Sequence, residues 1–341
     1  MKNWCWLRLD RNTTDDHWRK TFQDMRAAGV HAILPEVFNN HAAWWASAHL
    51  PVAEPLLERL LPLAHAADLE IHAWMHTMAC NIPAIYENHA DWYDVSGTGQ
   101  SAASQPPYVG YYKFLCPSRP EVHEFLQRRV AELAAFDGLD GIHLDYIRFP
   151  DVILAEALQP TYNIVQDREY PEYDYCYCDV CREAFGAESG IDINAVDDPA
   201  ASQEWRQFRY DRITRLVNEI LVPIGHNAGK QMTAAVFPNW QHVRQQWHLW
   251  QVDAVLPMLY QSFYNEDIPW VGAQVEAGIR RMQEKGRHKP LYSGVFVPAL
   301  DPAQLREAIE VSRRAGADGV SLFDLGSMTD AHWEVFRAAA N

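Results

Sequence analysis

Asp145 is the residue whose placement most needs a chemical reason. It stands in GIHLDYIRFP, Gly141 to Pro150, where Ile142, Leu144 and Tyr146 alternate with Gly141, His143 and Asp145 in the period-two pattern of a buried strand. One face of that strand would carry an imidazole and, one layer above it, a carboxylate. Burying a lone carboxylate costs on the order of several kcal/mol unless it is paired or used. Two readings are therefore open. Asp145 neutralises Arg148 three residues on, or it moves protons or attacks an electrophile at the strand end.

Strand-like and helix-like runs alternate along the whole chain, and their number decides the fold. Strands are expected at Trp4 to Asp10, His31 to Val37, Ile71 to Thr77, the motif above, Gln231 to Phe237, Ala254 to Tyr260, Leu291 to Val297 and Gly319 to Asp324. Helices are expected at His17 to Ala28, Leu56 to Ala67, Pro120 to Phe136, Glu204 to Ile220, Val243 to Trp250, Val271 to Lys285, Pro302 to Ala315 and Ala331 to Ala340. Gly29, Gly286 and Gly316 stop three of them, as glycine does just past a helix end. Eight such pairs are what a single (β/α)8 TIM barrel over 1–341 requires. The segment 151–203, roughly fifty residues, is too long for an ordinary connection and reads as an insertion after strand four.

In such barrels the working side chains stand at the C-terminal ends of the strands. Asp10, Glu36, His76, Asp145, Arg148, Tyr260 and Asp324 are so placed, with His143 one layer below. Several carboxylates at one mouth are the equipment of glycoside hydrolysis: one protonates the leaving oxygen, and another attacks the anomeric carbon or activates water. Trp74, Tyr146, Phe237, Trp240 and Tyr260 would supply flat apolar surfaces for a sugar ring. Arg148 would grip an acidic sugar or a phosphate unless Asp145 or Asp151 occupies it.

Two other classes stay open, a catalytically silent barrel that binds sugar through its aromatic mouth and a metal-dependent hydrolase built on His143, Asp145 or His76. The second has little to build on. The first strand has no histidine, and His72 and His76, four residues apart on an extended strand, lie about 13 Å apart and cannot share one ion.

The formal charge of −16, without any Lys/Arg cluster, argues against nucleic acid as a partner. No run of about 18 apolar residues exists to span a membrane. No apolar leader precedes Trp4, which fits a cytoplasmic protein or an exported one whose leader has been removed. GHNAGK, Gly225 to Lys230, is one residue short of a phosphate-loop spacing, and no Gly-x-Ser-x-Gly elbow occurs.

The fourth-strand residues also carry a family resemblance. The chain resembles the glycoside hydrolase-like family 10 barrels, whose fourth strand carries D-G-I-H-L-D-Y-x-R-[FY]-P, here Asp140 to Pro150. Ile71 to His76 (IHAWMH), Leu115 to Val122 (LCPSRPEV) and Trp205 to Val217 (WRQFRYDRITRLV) are similar to further patterns of that family. The resemblance implies a carbohydrate substrate and Asp145 as a catalytic carboxylate; no cofactor is expected for catalysis by paired carboxylates. His76 and Cys116 depart from it, each standing where the family usually has Asn. Strand seven, LYSGVFV, lacks the carboxylate that the commonest barrel glycosidases carry there. The second acid must then come from elsewhere. Asp324 and Glu36, which end strands, rank ahead of the loop residues Glu266 and Asp267. For Asp324 an ion pair with Arg8 or a helix cap is the competing reading.

Cys176, Cys178 and Cys181 bring three thiols within six residues, and Zn2+ prefers four such ligands in a tetrahedron. Cys116 is the natural fourth, with Cys80 or His89 as substitutes. A Cys-Pro before the third helix and a C-x-C-x-x-C after strand four resemble the zinc cluster of family-42 galactosidases, which implies a structural ion. Four thiolates leave no open position for catalysis.

Overall fold

The computed structural model describes residues Met1–Ala340. Its strands are β1 Trp4–Leu7, β2 Ala32–Phe38, β3 Glu70–His76, β4 Gly141–Asp145, β5 Gln231–Val236, β6 Ala254–Pro257, β7 Tyr292–Phe296 and β8 Gly319–Phe323. All pair in parallel in the order β6-β5-β4-β3-β2-β1-β8-β7. Single parallel bridges from Val255 to Leu291 and from Met258 to Gly294 bring β6 against β7 and close the ring. The expected (β/α)8 barrel is the fold.

The helices are α1 Asp15–Ala27, α2 Leu57–Ala66, α3 Pro83–Asn88, α4 Pro120–Ala134, α5 Asp179–Ser189, α6 Gln203–Arg215, α7 Val222–Asn227, α8 Ile268–Glu284, α9 Pro302–Arg314 and α10 Asp330–Ala340. Local chemistry explains their ends. Thr14 caps α1 by accepting the His17 N–H, and Asp301 and Gln304 form a reciprocal capping box on α9 ahead of Gly316, whose φ is 92°. A π-helical turn, Leu216–Leu221, joins α6 to α7.

One expected helix is absent. Val243 to Trp250 forms two short 3-10 turns, Trp240–Val243 and Trp247–Leu249, because long-range side-chain bonds claim its surroundings. Gln245 accepts the Phe237 N–H and donates to the Ile147 carbonyl, while Asn218 donates to the Leu249 carbonyl. Tertiary partners outbid the helical ladder there.

The barrel interior is filled by Trp4, Trp6, Leu34, Trp74, Leu256 and Tyr292, separate from the larger core between strands and helices. Gly141 is required by this packing, since a Cβ there would lie 2.1 Å from the His72 ring. The insertion after β4 holds α5 and is tied back by ion pairs. Buried Asp174 contacts Arg209 of α6 and, at 3.0 Å, Arg244, which also reaches Glu169 at 2.6 Å.

Candidate active site

A cavity of about 390 Å³ opens at the C-terminal ends of the strands. Strand β3 stands between two acids that line it and sets a ring nitrogen against each. Trp74 and His76, two residues apart on β3, share one pleat face directed inward. Trp74 Nε1 donates to Asp145 Oδ2 at 3.0 Å on the β4 side, and His76 Nε2 lies 3.0 Å from Glu36 Oε1 on the β2 side.

Asp145 is 6% exposed. Its Oδ1 accepts the N–H of Tyr146 at 2.7 Å, a contact made as Tyr146 enters the left-handed region, φ 50°, uncommon for a bulky residue. Burial pushes the Asp145 carboxyl above the ordinary aspartate range; His76, the two N–H donors and Arg148 pull the other way and do not cancel it.

Arg148 does not neutralise Asp145. Its Nη1 bonds Asp151 Oδ2 and the Phe149 carbonyl, both at 2.9 Å, and its Nη2 lies 3.3 Å from the Tyr112 hydroxyl. Its guanidinium carbon sits 4.7 Å from the centre of the Phe237 ring. Asp151, three residues after Arg148, takes the charge.

Asp324 follows the last residue of β8 and pairs with Arg8 at 3.7 Å, accepting the Ser327 hydroxyl at 2.8 Å. Arg8 lines the cavity in its place. Glu36, His76, Trp74, Tyr146, Arg148, Phe237 and Tyr260 all line it as expected for mouth residues.

Three expected substrate contacts lie elsewhere. His143, two residues below Asp145, is fully buried in the barrel, bonded to Thr233 at 2.8 Å and packed edge-on to Trp6. Trp240 sits in the turn beyond β5 and packs against Tyr210 and His248 around a separate depression. Asp10 is exposed because β1 stops at Leu7, and its carboxylate serves its own turn through Asn12.

Away from the mouth, Cys116, Cys176, Cys178 and Cys181 are buried with sulfur atoms within 4.8 Å of one another, close enough to bind one metal ion. Among the described residues this is the one group of three or more ligating side chains so gathered. The backbone N–H groups of Val95 and Cys178 each lie 3.4 Å from Cys176 Sγ, as donors do around a thiolate. Cys80 and His89 stand apart; the Cys80 carbonyl accepts the Tyr93 hydroxyl, and His89 stacks on Trp92.

The family model for glycosyl hydrolase-like 10 matches residues 9–306. The chain belongs to that family. No functionally curated protein matches it in sequence.

Family membership is accompanied by likeness to solved glycoside hydrolase barrels. The catalytic domain of a beta-amylase from Paenibacillus polymyxa superposes with TM-score 0.70 at 12% identity, covering 99% of this chain and 97% of that one. The PgaB (BpsB) glycoside hydrolase domain from Bordetella bronchiseptica gives 0.72 at 14%, covering 100% and 99%. A GH42 beta-galactosidase from G. stearothermophilus gives 0.67 at 12%, covering 99% of this chain and 56% of that one. At such identities the likeness is one of fold.

Much of the cavity wall of this family member was not anticipated. More than half of its lining side chains are aromatic, and many come from loops: Tyr108, Tyr111, Tyr112, Tyr162, Phe263 and Tyr264. The run PPYVGYY within the long loop after β3 was the available signal. Phe296 and Phe323, the last residues of β7 and β8, were within reach of the strand-end rule.

Proposed function

We propose that this protein hydrolyses glycosidic bonds, with Asp145 as general acid and Glu36 as nucleophile or as base toward water. The observation that carries the reading is that two carboxylates in unlike surroundings line one aromatic cavity, each against a ring nitrogen from β3. A raised carboxyl keeps its proton where a free aspartate would lose it, as protonation of a leaving oxygen requires. Once that proton is given up, the N–H groups of Trp74 and Tyr146 are already aimed at the new charge. Aromatic walls supply faces for sugar rings and thin the water around the acids.

A panel of aryl glycosides and labelled oligosaccharides tests this. Asp145→Asn and Glu36→Gln are each expected to lower kcat/KM by roughly 10²- to 10⁴-fold. A dinitrophenyl glycoside, whose leaving group needs no proton, should rescue Asp145→Asn and not Glu36→Gln. Wild-type turnover that Asp145→Asn leaves untouched would sink the assignment of the acid. Binding without any turnover would favour the silent sugar-binding barrel.

We infer further that the four cysteines hold a structural zinc ion. An all-sulfur set suits that ion, and a closed shell of four ties Cys116, ahead of α4, to the insertion. Elemental analysis should find about one zinc per chain. Its removal by a chelator should lower the unfolding temperature; a metal-free protein of unchanged stability would overturn this.

A further inference from the structure

Glu36, the second carboxylate in the reading above, lies against the last ring of a hydrogen-bonded chain whose polarity is set from its far end. Asn81 Nδ2 donates to the Tyr111 carbonyl at 2.7 Å and to Asn40 Oδ1 at 3.1 Å. A backbone carbonyl only accepts, so the Asn81 amide cannot turn round without facing oxygen with oxygen. Asn40 must therefore show its oxygen to Asn81 and its Nδ2 to His76 Nδ1, 3.1 Å away. That makes Nδ1 an acceptor and leaves the ring proton on Nε2, the nitrogen beside Glu36 Oε1.

The chain is built rather than incidental. Asn40 and Asn81 are 4% and 5% exposed, and the Asn81 N–H also donates to the Asn40 carbonyl at 2.7 Å, joining the loops after β2 and β3. Asn40 has φ 66°, a conformation asparagine tolerates better than most residues. Around the imidazole stand Glu36 from β2, Asp145 as its register partner on β4 and the Tyr146 ring with its centroid 4.3 Å away.

We propose that Asn40 and Asn81 are positioning residues that lock His76 in its Nε2-protonated tautomer, so that its N–H orients the Glu36 carboxylate in the cavity. The catalytic meaning rests on the role given to Glu36 above; the tautomer does not. Long-range ¹H–¹⁵N NMR of protein labelled at histidine reads it directly, with His76 signals identified by their loss in His76→Gln.

Near neutral pH the wild type should show a bare Nδ1 and a protonated Nε2. In Asn40→Asp the new carboxylate accepts instead, both nitrogens become protonated, and kcat/KM on the dinitrophenyl glycoside falls by about tenfold. A protonated Nδ1 in the wild type overturns the proposal, and so does an unchanged His76 spectrum in Asn40→Asp. The wild-type spectrum decides alone if that variant does not fold. The expected spectra together with full activity of Glu36→Gln would overturn the role of Glu36 and leave the lock supported.

Discussion

Asp145 at the mouth and Asp174 in the insertion are both buried, and burial pushes both carboxyls up. Around Asp174 the guanidinium groups of Arg209 and Arg244 and the Tyr177 hydroxyl, at 2.6 Å, outweigh that push and bring it below an ordinary aspartate. Asp145 accepts N–H groups from Trp74 and Tyr146 but bonds to no guanidinium, because Arg148 is committed to Asp151, and it stays raised. Buried charge that anchors a loop is given its counter-ions. The carboxylate to which we assign chemistry is denied one, and its proton is left free to move.

The comparison can be broken most forcefully from the anchoring side. Arg209→Ala leaves Asp174 short of a cation in a dry site and should cost about 3–5 kcal/mol in urea unfolding. Turnover by the folded fraction should stay near wild type. Loss of turnover in a protein as stable as wild type would mean that the two regions are not separate in function.

A smaller effect sharpens the mouth. Turnover that needs protonated Asp145 falls as pH rises through its elevated value. Trp74→Phe removes a donor to the ionised form, a bond worth about 1.5–3 kcal/mol to a charged acceptor, so ionisation becomes harder. The falling limb of kcat/KM should therefore move to higher pH. A limb moved to lower pH would show that Asp145 is not the group titrating there.

Local patterns carried the fold a long way. Alternation within GIHLDYIRFP, glycines past helix ends and the eightfold recurrence are properties of short windows, and all eight strands appear within a few residues of their expected positions. Strand ends were less legible. β1 stops three residues early, which strands Asp10 outside the mouth, and Trp240, expected at the mouth, leaves with a 3-10 turn. The aromatic loop walls were hidden for a related reason, since nothing in a seven-residue window says that a loop folds back over the barrel.

What the order of residues decided without help was the barrel, the crowding of acids at one end of it and the gathering of three thiols in one short turn. These follow from periodicity and spacing, which act over a few residues. Only the folded chain decided that Asp151 rather than Asp145 takes Arg148, that Asp324 goes to Arg8, that Cys116 rather than Cys80 or His89 completes the sulfur cluster and that Asn81 bonds the Asn40 amide beside His76. Each is a choice among partners that several candidates could fill, and which one wins depends on distances of 3–4 Å between segments that only closure of the ring brings together.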